Sequence, residues 1–253
     1  MRCAGSIWAL RAQPWSGSAS VLELRNLTGG WGPTTIIEDV SINFEAGETV
    51  AIIGRNGVGK TTLLELITRR TECRAGQIIL NGEDITSLRT HERSWRGLGY
   101  VPQQREVFPS LTVKEHLTIS RRPGRWTEAT VLELFPSLNS RLNNLGSQLS
   151  GGEQQMLAIA RALVGNPCVL LMDEPSEGLA PVIVEQLVRA IRSLVGAGSI
   201  SVVLVEQRID IALDLASRYV ILDRGRVVHT GRTCDLRNTL DELPGMMGLE
   251  SAS

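Results

Sequence analysis

The sequence predicts an α/β fold: a mostly parallel core sheet, an antiparallel N-terminal subdomain, and a helical subdomain inserted at about residues 105–163. Three observations carry this prediction. The apolar runs "CVLLMDE" and "SVVLVEQ" flank the helical "PVIVEQLVRAIRSLV", and apolar strands alternating with helices belong to a parallel sheet covered on both faces. From Val21 the chain gives strand signals broken by Gly and Pro, the mark of an antiparallel front end. Between Leu111 and Leu163 the apolar spacing changes to the helical period.

The elements follow in order. "VLELRNL" is a strand, "TGGWGP" a turn, and "TIIEDVSINFEAGE" and "TVAIIG" are further strands. "KTTLLELITRR" is a helix with Leu63, Leu64 and Ile67 on one face. "GQIILNGEDI" is a hairpin turning at Asn81-Gly82, and "LGYVPQQ" is a strand entering a polar loop. "LTVKEHLTI", "EATVLELFPSL" and "GGEQQMLAIARAL" make the helical block. "RYVILDRGRVVHTG" closes as a hairpin through Arg224-Gly225, followed by a polar terminal helix.

Composition narrows the function classes. With 253 residues, 42% hydrophobic and 21% charged, the chain suits one globular domain carrying an insertion. A net charge of −1 supplies no global field for holding nucleic acid, so no nucleic-acid partner is expected. Cys3, Cys73, Cys168 and Cys234 are far apart and outline neither a zinc site nor a disulfide framework, which suits a reducing compartment. No apolar run reaches the roughly 20 residues of a membrane-spanning helix. Residues 1–20, with the short apolar "SIWAL", are expected to be a disordered leader or an overextended reading frame. Only Lys60 and Lys114 are lysines among the 26 basic residues, which singles out the place of Lys60.

"GRNGVGKTT", Gly54 to Thr62, fits the phosphate-binding loop pattern between a strand and a helix. Gly54, Asn56, Gly57, Val58 and Gly59 let backbone N–H groups curl around phosphate oxygens; Lys60 reaches the β and γ phosphates, and Thr61, with Thr62 beside it, can hold Mg²⁺. An ordinary Gly-rich turn is the plain alternative. "VLLMDEP" delivers Asp173 and Glu174 to the C-terminal edge of a buried strand, where ligands bind in open α/β sheets. Asp173 would orient Mg²⁺ and Glu174 polarise an attacking water, unless the pair is only a solvated turn. In "LSGGEQQ", Ser150, Gly151 and Gly152 open a helix, and their N–H groups and hydroxyl form an anion site at its positive end, with Glu153 next in the stretch. A helix cap explains Ser150 alone, not two glycines followed by Glu-Gln-Gln.

With these three stretches in this order, the chain resembles the ATP-binding subunit of an ABC transporter, over about Val21 to Gly231. The resemblance implies a P-loop NTPase fold of the ABC type, with the ATPase domain over 21–240 and a C-terminal tail over 241–253. It implies ATP and Mg²⁺ as cofactors, and two such subunits closing head to tail over two ATP molecules, each signature helix completing the opposite site. Trp31 takes the place of the aromatic residue that stacks on adenine, plain core being the alternative. Gln103 matches the glutamine that touches Mg²⁺ and links the sheet to the helical block, with Gln104 as the other possibility. Gly178, Leu179 and Ala180 fill the loop between subunits, although the aspartate often found there is absent.

In the family pattern, the strand after Asp173-Glu174 ends in a histidine that contacts the γ-phosphate; here Gln207 stands there, and His91, His116 and His229 lie elsewhere. A dead ATPase would explain this. An amide still donates to a phosphate oxygen, although it cannot take up a proton, and intact Lys60 and Glu174 favour retained hydrolysis. "LVEQ", "DEPSEGLAP" and "LGYVPQQREVFPSLTV" are most similar to the smaller ATPase subunits of branched-chain amino acid importers, with some similarity to those of urea importers. The implied partners are two transmembrane permeases, a second ATP-binding subunit, identical or paralogous, and indirectly an extracytoplasmic substrate-binding protein. The implied place is peripheral, at the cytoplasmic face of a bacterial inner membrane. A soluble ABC ATPase acting on ribosomes or DNA and a regulatory module that no longer turns over are the competing readings.

Overall fold

The computed structural model describes residues 20–196 and 200–236. The expected leader, apart from Ser20, and the C-terminal tail lie outside the described residues. Ten strands build two sheets among the described residues.

The N-terminal sheet is antiparallel, as its punctuation predicts. It holds β1 (Ser20–Trp31), β2 (Thr34–Glu45), β4 (Glu72–Leu80) and β5 (Glu83–Asp84) in the order β2-β1-β4-β5. One expectation is corrected. "TGGWGP" is not a turn throughout, because β1 runs on to Trp31 and turns only afterwards. Its glycines serve close approach instead: a Cβ on Gly29 would stand 2.3 Å from the Glu72 carbonyl oxygen, and one on Gly30 2.3 Å from that of Thr34. The β4–β5 turn does fall at Asn81-Gly82, both with positive φ.

The core sheet takes the order β10-β9-β3-β8-β7-β6. Its members are β3 (Thr49–Ile53), β6 (Leu98–Val101), β7 (Val169–Asp173), β8 (Ser201–Glu206), β9 (Arg218–Asp223) and β10 (Arg226–Arg232). All pairings are parallel except the β9–β10 hairpin at Arg224-Gly225. Every residue of β3, β7 and β8 is buried, because helices cover both faces. Alternation then sorts the side chains: Val169 and Leu171 join the core under α1 (Lys60–Thr68). Leu170 and Met172 join the core with α6 (Gly151–Leu163) and α7 (Pro181–Gly196).

The helical block contains α3 (Val113–Ser120), α4 (Glu128–Leu134), α5 (Pro136–Asn139) and α6. The segment "EATVLELFPSL" breaks at Phe135, since Pro136 cannot donate to the helix before it and starts the next one. Two short helices, α2 (Thr90–Trp95) and α8 (Ile209–Leu215), are not signalled by apolar spacing. A last turn, α9 (Thr233–Leu236), ends the described residues; the rest of the segment expected to form a polar terminal helix lies outside them. Arg93 of α2 is fully buried and donates to the carbonyls of Leu66 (2.9 Å) and Ile67 (2.7 Å), capping the C-terminal end of α1.

Candidate functional site

β3 leads through Gly54–Gly59 into α1, whose first residue is Lys60. Geometry demands glycine twice here. A Cβ on Gly54 would stand 2.4 Å from the Leu222 carbonyl oxygen, and Gly59 caps α1 at φ +108°. Lys60 bends back over the loop, its Nζ donating to the carbonyls of Gly54 (2.9 Å) and Arg55 (3.0 Å). The same ammonium lies 3.5 Å from Glu174 Oε1, and both side chains are buried, at 4% and 7% exposure.

β7 ends at Asp173, which faces α1. Thr61 Oγ1 donates to Asp173 Oδ1 at 3.2 Å, while the buried Oδ2 has no hydrogen-bond partner among the described residues. Burial pushes the Asp173 carboxyl up to about 6; the Thr61 hydroxyl opposes this, and Glu174 adds to it. An unpaired buried carboxylate oxygen is costly, and a divalent cation would relieve it. Among the described residues no group of three His, Cys, Asp or Glu side chains stands ready to cage a metal. A sparse donor set of Thr61, Asp173 and Gln103 fits Mg²⁺, which keeps water and phosphate oxygens in its shell.

Glu174 follows at φ +46°, its N–H donating to the Val205 carbonyl at 2.9 Å. Gln207, just past β8, donates from Nε2 to Glu174 Oε2 at 2.5 Å. Gln103 donates from Nε2 to the Glu177 carboxylate.

These groups converge on a cleft of about 360 Å³ lined by Asn56, Gly57, Gly59, Lys60, Thr61, Thr62, Gln103, Glu174 and Gln207, together with Ile36 and Glu177. Gln104 does not line it. Sequence reasoning missed Ile36 and Glu177; the neighbourhood of Gly178 in "SEGLAP" was the available signal for Glu177. Gly54, Val58 and Asp173 lie beneath the lining. Trp31 ends β1 at 48% exposure, so it is not core, and it stands apart from the cleft wall. His116 is buried in the helical block, its Nε2 accepting the Phe108 N–H at 2.9 Å; no histidine lines the cleft.

Ser150, Gly151, Gly152 and Glu153 form no part of that wall. Ser150 caps α6: its Oγ accepts the Glu153 N–H at 3.3 Å, and the Glu153 carboxylate accepts from Ser150 N and Oγ, each at 2.8 Å. Arg141 pairs with the same carboxylate at 3.2 Å. Gly152 is required by packing, since a Cβ would stand 2.7 Å from Ile183 Cγ2. The cleft and the helix start are thus separate surfaces of one chain.

Residues 37–177 match the ABC transporter family model. The chain is 41% identical over 206 residues to the high-affinity branched-chain amino acid transport ATP-binding protein BraG of Pseudomonas aeruginosa, covering 78% of this chain and 87% of that one. It is 34% identical over 220 residues to the lipopolysaccharide export system ATP-binding protein LptB of Haemophilus influenzae, covering 84% and 90%. A solved dimeric ATP-binding cassette in a post-hydrolysis state, bound to ADP and Pi, superposes with a TM-score of 0.73 at 28% identity, over 84% of this chain and 98% of that one. With a glycine-rich loop between β3 and α1, a buried carboxylate strand and a separate helix start on this fold, the chain belongs to the ABC transporter family, as one of its ATPases.

Proposed function

We propose that the chain is the ATP-binding and hydrolysing subunit that powers an ABC importer of branched-chain amino acids. The observation that carries the chemistry is the meeting of Lys60, Thr61, Asp173, Glu174 and Gln207 around one cleft. The similarity to BraG supports the cargo. The similarity to LptB favours export as the second reading, and a urea or amide importer is the third.

Backbone N–H groups of the Gly54–Thr62 loop bind the triphosphate at the positive end of α1, and Lys60 leaves its carbonyl partners for the phosphates. Glu174 orients the attacking water and accepts its proton. Gln207 steadies that carboxylate through its amide and donates to the γ-phosphate, which it can do without a titratable ring. Thr61, Asp173 and Gln103 hold Mg²⁺, which neutralises charge on the phosphoryl oxygens when bound. Trp31 stacks on the adenine.

A second ATP-binding subunit, identical or paralogous, presents its own Ser150–Glu153 helix start to this nucleotide in a head-to-tail dimer. The ATPase domain spans 21–240, with the helical subdomain of about 105–163 inserted. That block relays closure and release to two transmembrane permeases, which receive cargo from an extracytoplasmic binding protein. A groove of about 420 Å³ where the sheet meets the block mixes Trp95 and Ile119 with the basic Arg70, Arg121, Arg122 and Arg161, and it is the proposed seat of a permease loop. No helix among the described residues is long and apolar enough to cross a membrane; the proposed seat, on the cytoplasmic face of a bacterial inner membrane, follows from the proposed permease partners.

The test is ATP-driven uptake into proteoliposomes that hold this chain and the permeases encoded beside it, supplied with the matching binding protein. Leucine uptake with ATP inside supports the proposal. Urea uptake instead shifts the cargo, and lipid extraction without uptake overturns import.

A further inference from the structure

β8 ends in Glu206 and continues into Gln207, and strand alternation sends the two side chains to opposite faces. Gln207 follows Val203 and Val205 towards the α1 side and meets Glu174. Glu206 follows Val202 and Leu204 towards α6 and α7. It does not line the cleft, is 2% exposed, and forms no ion pair among the described residues. An apolar residue would fill this place at lower desolvation cost, as Val202 and Leu204 do on the same face.

Besides the nearby Arg208 backbone N–H, Glu206 has Ser176. Its Oε1 accepts the Ser176 N–H at 3.2 Å, and its Oε2 accepts the Ser176 hydroxyl at 3.0 Å. Between the two polar residues, the Val205 carbonyl accepts the Glu174 N–H at 2.9 Å. Three consecutive residues of the β8 end therefore hold the segment from Glu174 to Ser176 from both faces. That segment needs holding, because Glu174 sits at φ +46°, a backbone state that a residue with a side chain keeps only when its surroundings impose it.

We propose that Glu206 is a positioning residue for ATP hydrolysis: by gripping Ser176 it fixes the backbone of Glu174, and with it the aim of the Glu174 carboxylate at the attacking water. The proposal rests on the ATPase reading of the Lys60 cleft. The burial that raises the Glu206 carboxyl is compatible with the grip, because a protonated or an ionised acid retains acceptors for Ser176. A neutral amide can do the same, with its oxygen accepting the Ser176 N–H and its NH₂ donating to the hydroxyl.

The experiment measures ATP turnover and nucleotide affinity separately in the full-length chain. Glu206→Met fills the volume without acceptors and is expected to lower kcat about tenfold or more while leaving the Kd for ATP within about twofold. Glu206→Gln is expected to keep kcat within about threefold of wild type. A Glu206→Met chain with wild-type kcat overturns the proposal, and so does a Glu206→Gln chain as slow as Glu206→Met, since the negative charge would then matter and not the grip. If Glu206→Met does not fold, Ser176→Ala decides: it removes one of the two donors, and an unchanged kcat overturns the proposal. A wild-type chain without turnover sinks the ATPase reading first; a wild-type chain with turnover confines any failure to Glu206.

Discussion

The Lys60 cleft and the Ser150 helix start are both proposed to face the nucleotide phosphates, yet they are built differently. In the cleft, charged groups are buried and tied to one another: Lys60 to Glu174, Thr61 to Asp173, Gln207 to Glu174. One atom among them, Asp173 Oδ2, lacks a partner among the described residues. At the helix start, Ser150 is exposed and its hydrogen bonds close locally on Glu153. The cleft carries an internal cost that ligand binding can relieve, whereas the helix start is already satisfied and gains only from a facing surface. On the proposed head-to-tail arrangement, the cleft would be the catalytic half and the helix start the complement for a facing subunit, and mutations should separate the two.

The largest effect is expected at Glu174. Glu174→Gln keeps the shape and a hydrogen bond to Gln207 but removes the proton acceptor, so kcat should fall about 100- to 1,000-fold, or roughly 3–4 kcal/mol. ATP affinity should stay close to wild type. Phosphate release in single-turnover assays beside equilibrium nucleotide binding checks both halves of this expectation, and undiminished turnover would remove Glu174 from the chemistry.

Asp173 comes next, and its effect is on stability. Its carboxyl is pushed from an ordinary 3.8 up to about 6, chiefly by burial. The folded chain therefore retains a proton that the unfolded chain has released, so stability is fully present below about pH 4 and is lost as pH rises through about 6. The loss approaches ~3 kcal/mol at neutral pH. Asp173→Asn carries no such cost; without nucleotide it should melt higher than wild type at pH 7.5, with the advantage vanishing near pH 4. Parallel melting curves across that range would contradict this electrostatic account.

The complementary half is probed with Ser150→Asp. Aspartate caps a helix about as well as serine but cannot donate to the Glu153 carboxylate that now accepts from Ser150 Oγ, so the melting temperature should fall slightly while the nucleotide affinity of the isolated chain should hold. A carboxylate facing a triphosphate repels it, and turnover in the assembled dimer should drop about tenfold or more. Equal turnover would mean that Ser150 does not face nucleotide in any working assembly.

Much of this site is legible in the sequence because its residues are neighbours along the chain. Gly54–Thr62 joins its glycines to Lys60, and the runs "VLLMDE" and "VVLVEQ" end in charge at strand tips. Legibility stops where the cause is a contact between distant segments. Gly29 and Gly30 look like a turn until β4 and β2 are seen pressed against them. Arg93 reads as a surface residue, but it caps α1 from inside. The partnership of Glu206 with Ser176 spans 30 positions, and nothing local announces it.

Trp31 offers the smallest of these effects and the finest test of the comparison. At 48% exposure it adds little to the core, so Trp31→Ala should barely move the melting temperature. In the proposed stacking role its ring face would meet a planar base, a contact of about 1 kcal/mol beyond simple burial. Trp31→Ala should therefore raise KM for ATP about fivefold with kcat unchanged, because the contact is equal in ground and transition states. Trp31→Tyr should restore most of it, since an aromatic face remains. If alanine lowers kcat instead, Trp31 belongs to the machinery that moves with hydrolysis and not to nucleotide capture.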